Sequence, residues 1–309
     1  MAYVPNLSFR RVYWSSQDTI GTFVPLATNS AGSFDIPSDG TVVCGIRTKT
    51  ASLIWTTTDV WGMTFIGQPF VYSFRQEGTN CGIVSQRAAV LLDTGAYWMG
   101  NGKFFRYDGF VSTILCDVAD YVFGSFNQSL ASTVWALANP LYNEITWFYP
   151  NASATTVPNS YVTYNYVEGH WAFGSLTRCC GVTQWPGVTT TPVMIDATGL
   201  IWTHETGTAM PGSTAPFLES GPVELGDGDR VARIQRVVPD DKTLGDVRIK
   251  IYTSFYPDQA ETLHGPYTLG NPTSVRLTAR QVRVRLEQVV ANAWRVGVVR
   301  LGIVMGGRR

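Results

Sequence analysis

Val247, Ile249, Ile251, Thr253 and Phe255 alternate with Arg248, Lys250, Tyr252, Ser254 and Tyr256. A period of two sends the first set to a buried face and the second outward, so the segment reads as a half-buried strand. Similar runs, rich in Val, Ile, Thr, Tyr, Phe and Trp and bounded by Gly, Asn, Asp or Pro, recur throughout, and the chain reads as all-β. Only Gln128–Ala138, with Leu130, Val134 and Leu137, fits a helical period. Asn139-Pro140 follows at once and Thr133-Val134-Trp135 favours extension, so a strand is expected there too. Farther on, Val275, Leu277 and Ala279 share one parity while Val282, Val284 and Leu286 share the other. Keeping both sets buried requires a β-bulge or tight corner at Arg280-Gln281, and that bulge would gather Arg276, Arg280, Arg283 and Arg285 on one outer face.

Between residues 40 and 205 a strand, a Gly/Asn/Asp turn and a Trp- or Tyr-bearing strand recur at roughly 40-residue intervals. Four units are expected: Thr41–Gly67, Gly82–Ile114, Ser132–Gly174 and Gly181–Gly207. The second carries three hairpin turns, at Asp93-Thr94-Gly95, Gly100-Asn101-Gly102 and Asp108-Gly109; the third folds two strands over Glu168-Gly169. Four-stranded units with aromatic markers suit the blades of a β-propeller-like body over residues 1–205, since each blade needs a neighbour to bury its large faces. A β-sandwich with long hairpins is the alternative. Residues 1–40 form an N-terminal segment in which Ser15–Phe34 would close the ring. Small, flexible residues at 206–216 read as a linker, and 217–309 as an Arg-rich β-sandwich-like domain.

Net charge is formally zero, yet residues 1–229 hold 9 Lys+Arg and 17 Asp+Glu whereas residues 230–309 hold 14 and 6, a balance of minus 8 against plus 8. Twelve of the 14 cations are Arg, which suits desolvated contact with protein or phosphate; a solvated face of alternating charge is the plainer reading. Charged residues are only 15% and aromatics reach 13%, against roughly 25% charge in ordinary domains, so much surface is left for contact. No secretory leader and no membrane span is expected. Cys44, Cys81, Cys116, Cys179 and Cys180 form no metal-like spacing and fit a reducing compartment; with His170, His204 and His264 far apart, zinc is not expected.

Catalytic motifs are absent. Gly100-Asn101-Gly102-Lys103 is too short for a phosphate loop and reads as a hairpin turn. His204-Glu205 is the most suggestive polar pair, but neighbours on a strand face opposite ways, and a strand-end histidine in a loop is the simpler reading. Asp227-Gly228-Asp229 lacks the further oxygens of a calcium loop. Ser16-Gln17-Asp18-Thr19-Ile20-Gly21-Thr22-Phe23 resembles the Asp-box turn of sialidases, with Ile20 at its glycine position and no second copy. Neither catalytic residues nor a cofactor or metal is assigned, and the chain is expected not to be an enzyme.

Several strings occur in order: Tyr97-Trp-Met-Gly-Asn-Gly-Lys-Phe-Phe-Arg-Tyr-Asp-Gly109, Asn143-Glu-Ile-Thr-Trp-Phe-Tyr-Pro150, Tyr161 to Trp171, His204-Glu-Thr-Gly207 and Glu219 to Gly228, then a basic β domain ending Gly306-Gly-Arg-Arg309. Together they resemble the propeller and C-terminal part of tail nozzle (tail tubular, or tail hub) proteins of short-tailed bacteriophages. The resemblance spans roughly Thr41 to the C-terminus, and many of those proteins are longer. It implies a structural protein of the virion tail, made in the host bacterial cytoplasm. Such a protein forms a ring, commonly hexameric, below the portal and adaptor, and viral DNA passes through it without sequence recognition or stable membrane insertion. Arg276, Arg280, Arg283, Arg285, Arg295 and Arg300 would then make subunit or adaptor contacts. A receptor- or glycan-binding tail protein, or a propeller glycosidase, is the alternative.

Overall fold

The computed structural model describes residues 9–308 apart from 18, 209–214, 227–229 and 271. Most of the expected linker and Asp227-Gly228-Asp229 therefore lie outside the described residues, as does Asp18. Two compact units emerge, Met1–Thr206 and Gly207–Arg309.

In the first unit, β1 (Arg11–Trp14) and β2 (Gly32–Asp35) pair with each other. Next comes an antiparallel sheet of β3 (Val42–Arg47), β4 (Ser52–Thr56), β5 (Val60–Gly67) and β6 (Val71–Gly78). A second contains β7 (Ala89–Leu92), β8 (Gly95–Met99), β9 (Phe104–Tyr107) and β10 (Val111–Ile114). After a short helix, α1 (Ala119–Gly124), and a 3-10 turn, Gln128–Thr133, a third holds β11 (Trp135–Asn139), β12 (Glu144–Tyr149), β13 (Ser160–Asn165) and β14 (Trp171–Ser175). The last has three strands: β15 (Cys180–Val182), β16 (Val193–Ile195) and β17 (Ile201–Thr203). This is a propeller-like body of Trp- and Tyr-marked meanders. All three hairpin turns of the second sheet fall at the expected residues, and Glu168-Gly169 lies in the turn between β13 and β14.

Three expectations need correction. The first unit runs on to Gly78, because Gly67-Gln68-Pro69 is a hairpin turn rather than an end: Gly67 takes φ +80° and the chain returns as β6. The fourth unit has three strands among the described residues, not four. Gln128–Ala138 is half helical, since the Asn127 side chain accepts from the Ser129 N–H at 3.1 Å and starts the 3-10 turn before β11. As for the N-terminal segment, Phe34 stacks on Phe74 at 4.2 Å and Trp14 meets Tyr72 at 5.3 Å, so the hairpin seals the outer strands of the first sheet.

Indoles fasten consecutive units. Trp98 Nε1 donates to the Cys81 carbonyl at 2.8 Å, Trp147 Nε1 to Ala88 at 3.0 Å and Trp135 Nε1 to Arg178 at 3.0 Å. Leu53, Trp55, Trp98, Phe104, Ile145 and Trp147 are fully buried in one shared core. A large ring buried with its one polar atom satisfied supplies apolar area at no desolvation penalty.

The second unit is a sandwich-like domain. On one side β24 (Gln281–Gln288) pairs with β21 (Val247–Ser254), itself next to β22 (Thr262–Thr268), while β18 (Phe217–Glu219) and β19 (Val223–Glu224) line the other edge of β24. On the other side β20 (Arg230–Pro239) runs between β23 (Thr273–Ala279) and β25 (Val299–Arg308). Val247, Ile249 and Ile251 are buried as their alternation predicts, whereas Phe255 lies beyond the strand end and is exposed. The predicted corner at Arg280-Gln281 is present: there the chain leaves one sheet and enters the other. No described helix is long and apolar enough to cross a membrane.

Candidate functional site

That corner separates the arginines that sequence spacing groups together. Arg276 lies on β23 and Arg300 on β25, in the three-stranded sheet; Arg283 and Arg285 lie on β24, in the other. The expected single outer face is thus corrected, because changing sheets at residue 280 sends the two sets to different layers. Arg280 sits at the corner over the Tyr256 ring at 5.2 Å, and Arg295 donates from Nε to the Lys242 carbonyl at 2.8 Å, linking two loops.

On β24 the charge is satisfied internally. Arg283 pairs with Glu219 at 2.6 Å and with Glu261, and lies 4.0 Å over the Tyr252 ring. Arg285 meets Glu287 at 2.5 Å and Glu219 at 3.3 Å above Phe217, while Lys250 completes the cluster with Glu287 at 2.7 Å. Its hydrogen bond from Arg283 holds Glu261 below the usual carboxylate range. Three cations and three carboxylates cancel, so this network orders the sheet surface rather than leaving charge for a partner.

The three-stranded sheet differs. Ala232, Ile234 and Val237 of β20 and Val275, Leu277 and Ala279 of β23 point inward, which turns Arg233, Arg236 and Arg276 out to solvent. Arg236 pairs in register with Ser274 and Gly302, Arg233 with Thr278 and Val304, and Arg300 with Val238, placing all four arginines on one face. Gly302 leaves room for the Arg236 stem, since a Cβ there would meet Arg236 Cγ at 2.7 Å. Sequence reasoning missed Arg233 and Arg236, although their alternation with Ala232 and Ile234 carries the signal.

The first unit holds a second locus, between its third and fourth sheets. Glu144 opens β12, Tyr161 lies on β13, and His204 and Glu205 follow β17. Burial and the neighbouring Glu205 carboxylate raise the Glu144 pKa; Glu205, exposed on one side, is raised by the burial of its other side. Burial first, then both carboxylates, raise Tyr161. Burial and Arg178 lower His204 to about 4. Its Nε2 accepts from Arg178 Nε at 3.0 Å, which assigns the neutral ring's proton to Nδ1. Arg178 in turn covers the Trp202 ring at 5.4 Å. Glu205 takes φ +59°, a left-handed conformation uncommon outside glycine, so residues 204 and 205 do not continue the strand and the opposite-face argument does not apply to them. Carboxyls with raised pKa can exchange protons nearer neutrality than ordinary surface acids.

A third feature is an open concavity of about 560 Å³ lined by Trp14, Phe34, Phe70, Tyr72 and Phe74, with Ser33 and Ser73 also on its wall. Among the described residues no group of three or more His, Cys, Asp or Glu is placed to hold a metal. The five cysteines are unpaired thiols, and burial pushes Cys44, Cys81 and Cys116 up to about 11.

No protein-family model matches the chain, and no curated protein does. Solved structures similar to it include an exo-β-1,3-galactanase from Phanerochaete chrysosporium with bound β-1,3-galactotriose, at 10% identity over 86% of this chain and 82% of that one, TM-score 0.31. The same enzyme with galactose matches at 10% identity over 82% and 78%, TM-score 0.27, and a glycoside hydrolase at 10% over 80% and 81%, TM-score 0.25. These matches are to enzymes, so the expectation that the chain is not an enzyme is withdrawn. At such low TM-scores they carry neither a substrate nor a reaction to this chain.

Proposed function

We propose that the chain is a ring-forming subunit of a short-tailed bacteriophage tail, meeting copies of itself and neighbouring tail proteins. The ordered strings carry this reading. They fall on β8 and β9 with their turn, on β12 and the β13 and β14 hairpin of the next sheet, on the turn after β17, and on β18 with β19. Exposed apolar side chains such as Leu115, Val167 and Ile201 leave surface suited to lateral contacts. The test is the native mass of the purified chain with electron micrographs of any rings, and immunolabelling of virions. A monomer at micromolar concentration that is absent from virions ends the reading.

A second reading, a glycan-binding or glycan-cleaving propeller, is favoured by the interacting Glu144 and Glu205 carboxyls with their raised pKa, and by the aromatic concavity around Trp14 and Tyr72. Paired carboxyls are the acid-base equipment of most glycoside hydrolases, and flat aromatic rings receive the apolar faces of sugars. Reducing-end release from a polysaccharide panel, lost in both Glu144→Gln and Glu205→Gln, supports it. Equal release by the wild type and both variants defeats the assignment of those carboxyls.

A further inference from the structure

We infer that the outer face of the β23, β20 and β25 sheet is a sequence-independent docking surface for the phosphodiester backbone of nucleic acid. Arg233, Arg236, Arg276 and Arg300 project from it into solvent. None has an acidic partner among the described residues, and the three strands contain no Asp or Glu. The contrast lies within one domain: Arg283 and Arg285 on the opposite layer are each neutralised by glutamates. Like charges on neighbouring strands repel, and the arrangement leaves a cationic stripe whose natural complement is a regular anion.

The occupant follows from geometry and charge. Arg233 lies opposite Val304, four residues from Arg300 along β25, because the bulge between Ile234 and Arg236 takes up one residue of β20; the span is about 13 Å at the rise of a strand. That equals about four 3.4 Å steps of a nucleic-acid strand. Guanidinium forks pair with phosphate oxygens two at a time, which lysine does not do. This assignment does not depend on ring formation.

The experiment uses the full chain and fluorescent duplexes of about 20 base pairs in two unrelated sequences, followed by anisotropy, with native mass recorded in parallel. Four phosphate contacts predict that affinity falls about 150-fold between about 50 and 200 mM salt, equally for both sequences. The variant R233S/R236S/R276S/R300S is expected to lose at least about tenfold in affinity at the lower salt while keeping its circular dichroism and native mass; R283S/R285S is expected to lose less than about twofold. Absence of binding at low salt overturns the inference. So does undiminished binding by the quadruple variant, or displacement of DNA by polyglutamate as readily as by unlabelled duplex, which would mark a site for acidic protein. Loss of rings with DNA binding intact would instead count against the tail reading alone.

Discussion

Replacing Trp98 with Phe should destabilise the first unit more than replacing Trp147 with Phe, although both indoles are fully buried and each makes one hydrogen bond. The difference lies in the acceptors. Ala88 O receives both the Trp147 indole and the Met99 N–H, at 3.0 and 3.1 Å, so Trp147→Phe leaves it one donor. Cys81 O receives the Trp98 indole alone among the described residues, and Cys81 is 1% exposed. Losing the five-membered ring costs each variant about 1–2 kcal/mol of packing. Orphaning the Cys81 carbonyl adds about 1–3 kcal/mol to Trp98→Phe alone. Urea unfolding, read by far-ultraviolet and near-ultraviolet circular dichroism to test coincidence of the transitions, measures both variants. Equal midpoints, or a lower one for Trp147→Phe, would refute the view that the indole bond to an otherwise unpaired carbonyl fastens the first two sheets.

Gly82→Ala would drive a Cβ into the Thr57 carbonyl and the Thr58 amide, fixed backbone that cannot swing away, and should cost about 3 kcal/mol or more in the same assay; Gly102→Ala, with open space around it, should cost only about 1 kcal/mol from its φ of +79°. His204 is held neutral in the fold with its pKa lowered to about 4 from 6.5, so the unfolded chain binds more protons between those values and stability falls as pH drops through that window. After screening at this half-exposed position the loss is about 1–2 kcal/mol, and unfolding curves of His204→Gln between pH 7 and 4 should lack this component. In the second unit, a double-mutant cycle on Arg283 and Glu261 should return about 1 kcal/mol or less, since both partners are solvated, and should shrink further in high salt.

Residues 247–254 and the turns at 93–95, 100–102 and 108–109 were readable from the chain because alternation and glycine-bearing turns are local properties. A bulge or corner at Arg280-Gln281 was readable for the same reason, since a parity slip between two apolar sets admits few solutions; that the chain changes sheet there was not. The end of the first unit was not, because Gly-Gln-Pro stops a strand or turns a hairpin with equal ease, and only the pairing of β5 with β6 decides between them. Candidate chemistry was the least legible. Arg285 is neutralised by Glu219, 66 residues away in sequence, and Glu144 feels Glu205 from beyond the end of β17. Whether an arginine is spent on a neighbour or left facing water depends on which strands lie side by side, and no local period encodes that. Sequence determined which side chains face in and which face out; tertiary structure decided what each outward charge meets, because Coulomb interactions act across space while periodicity acts along the chain.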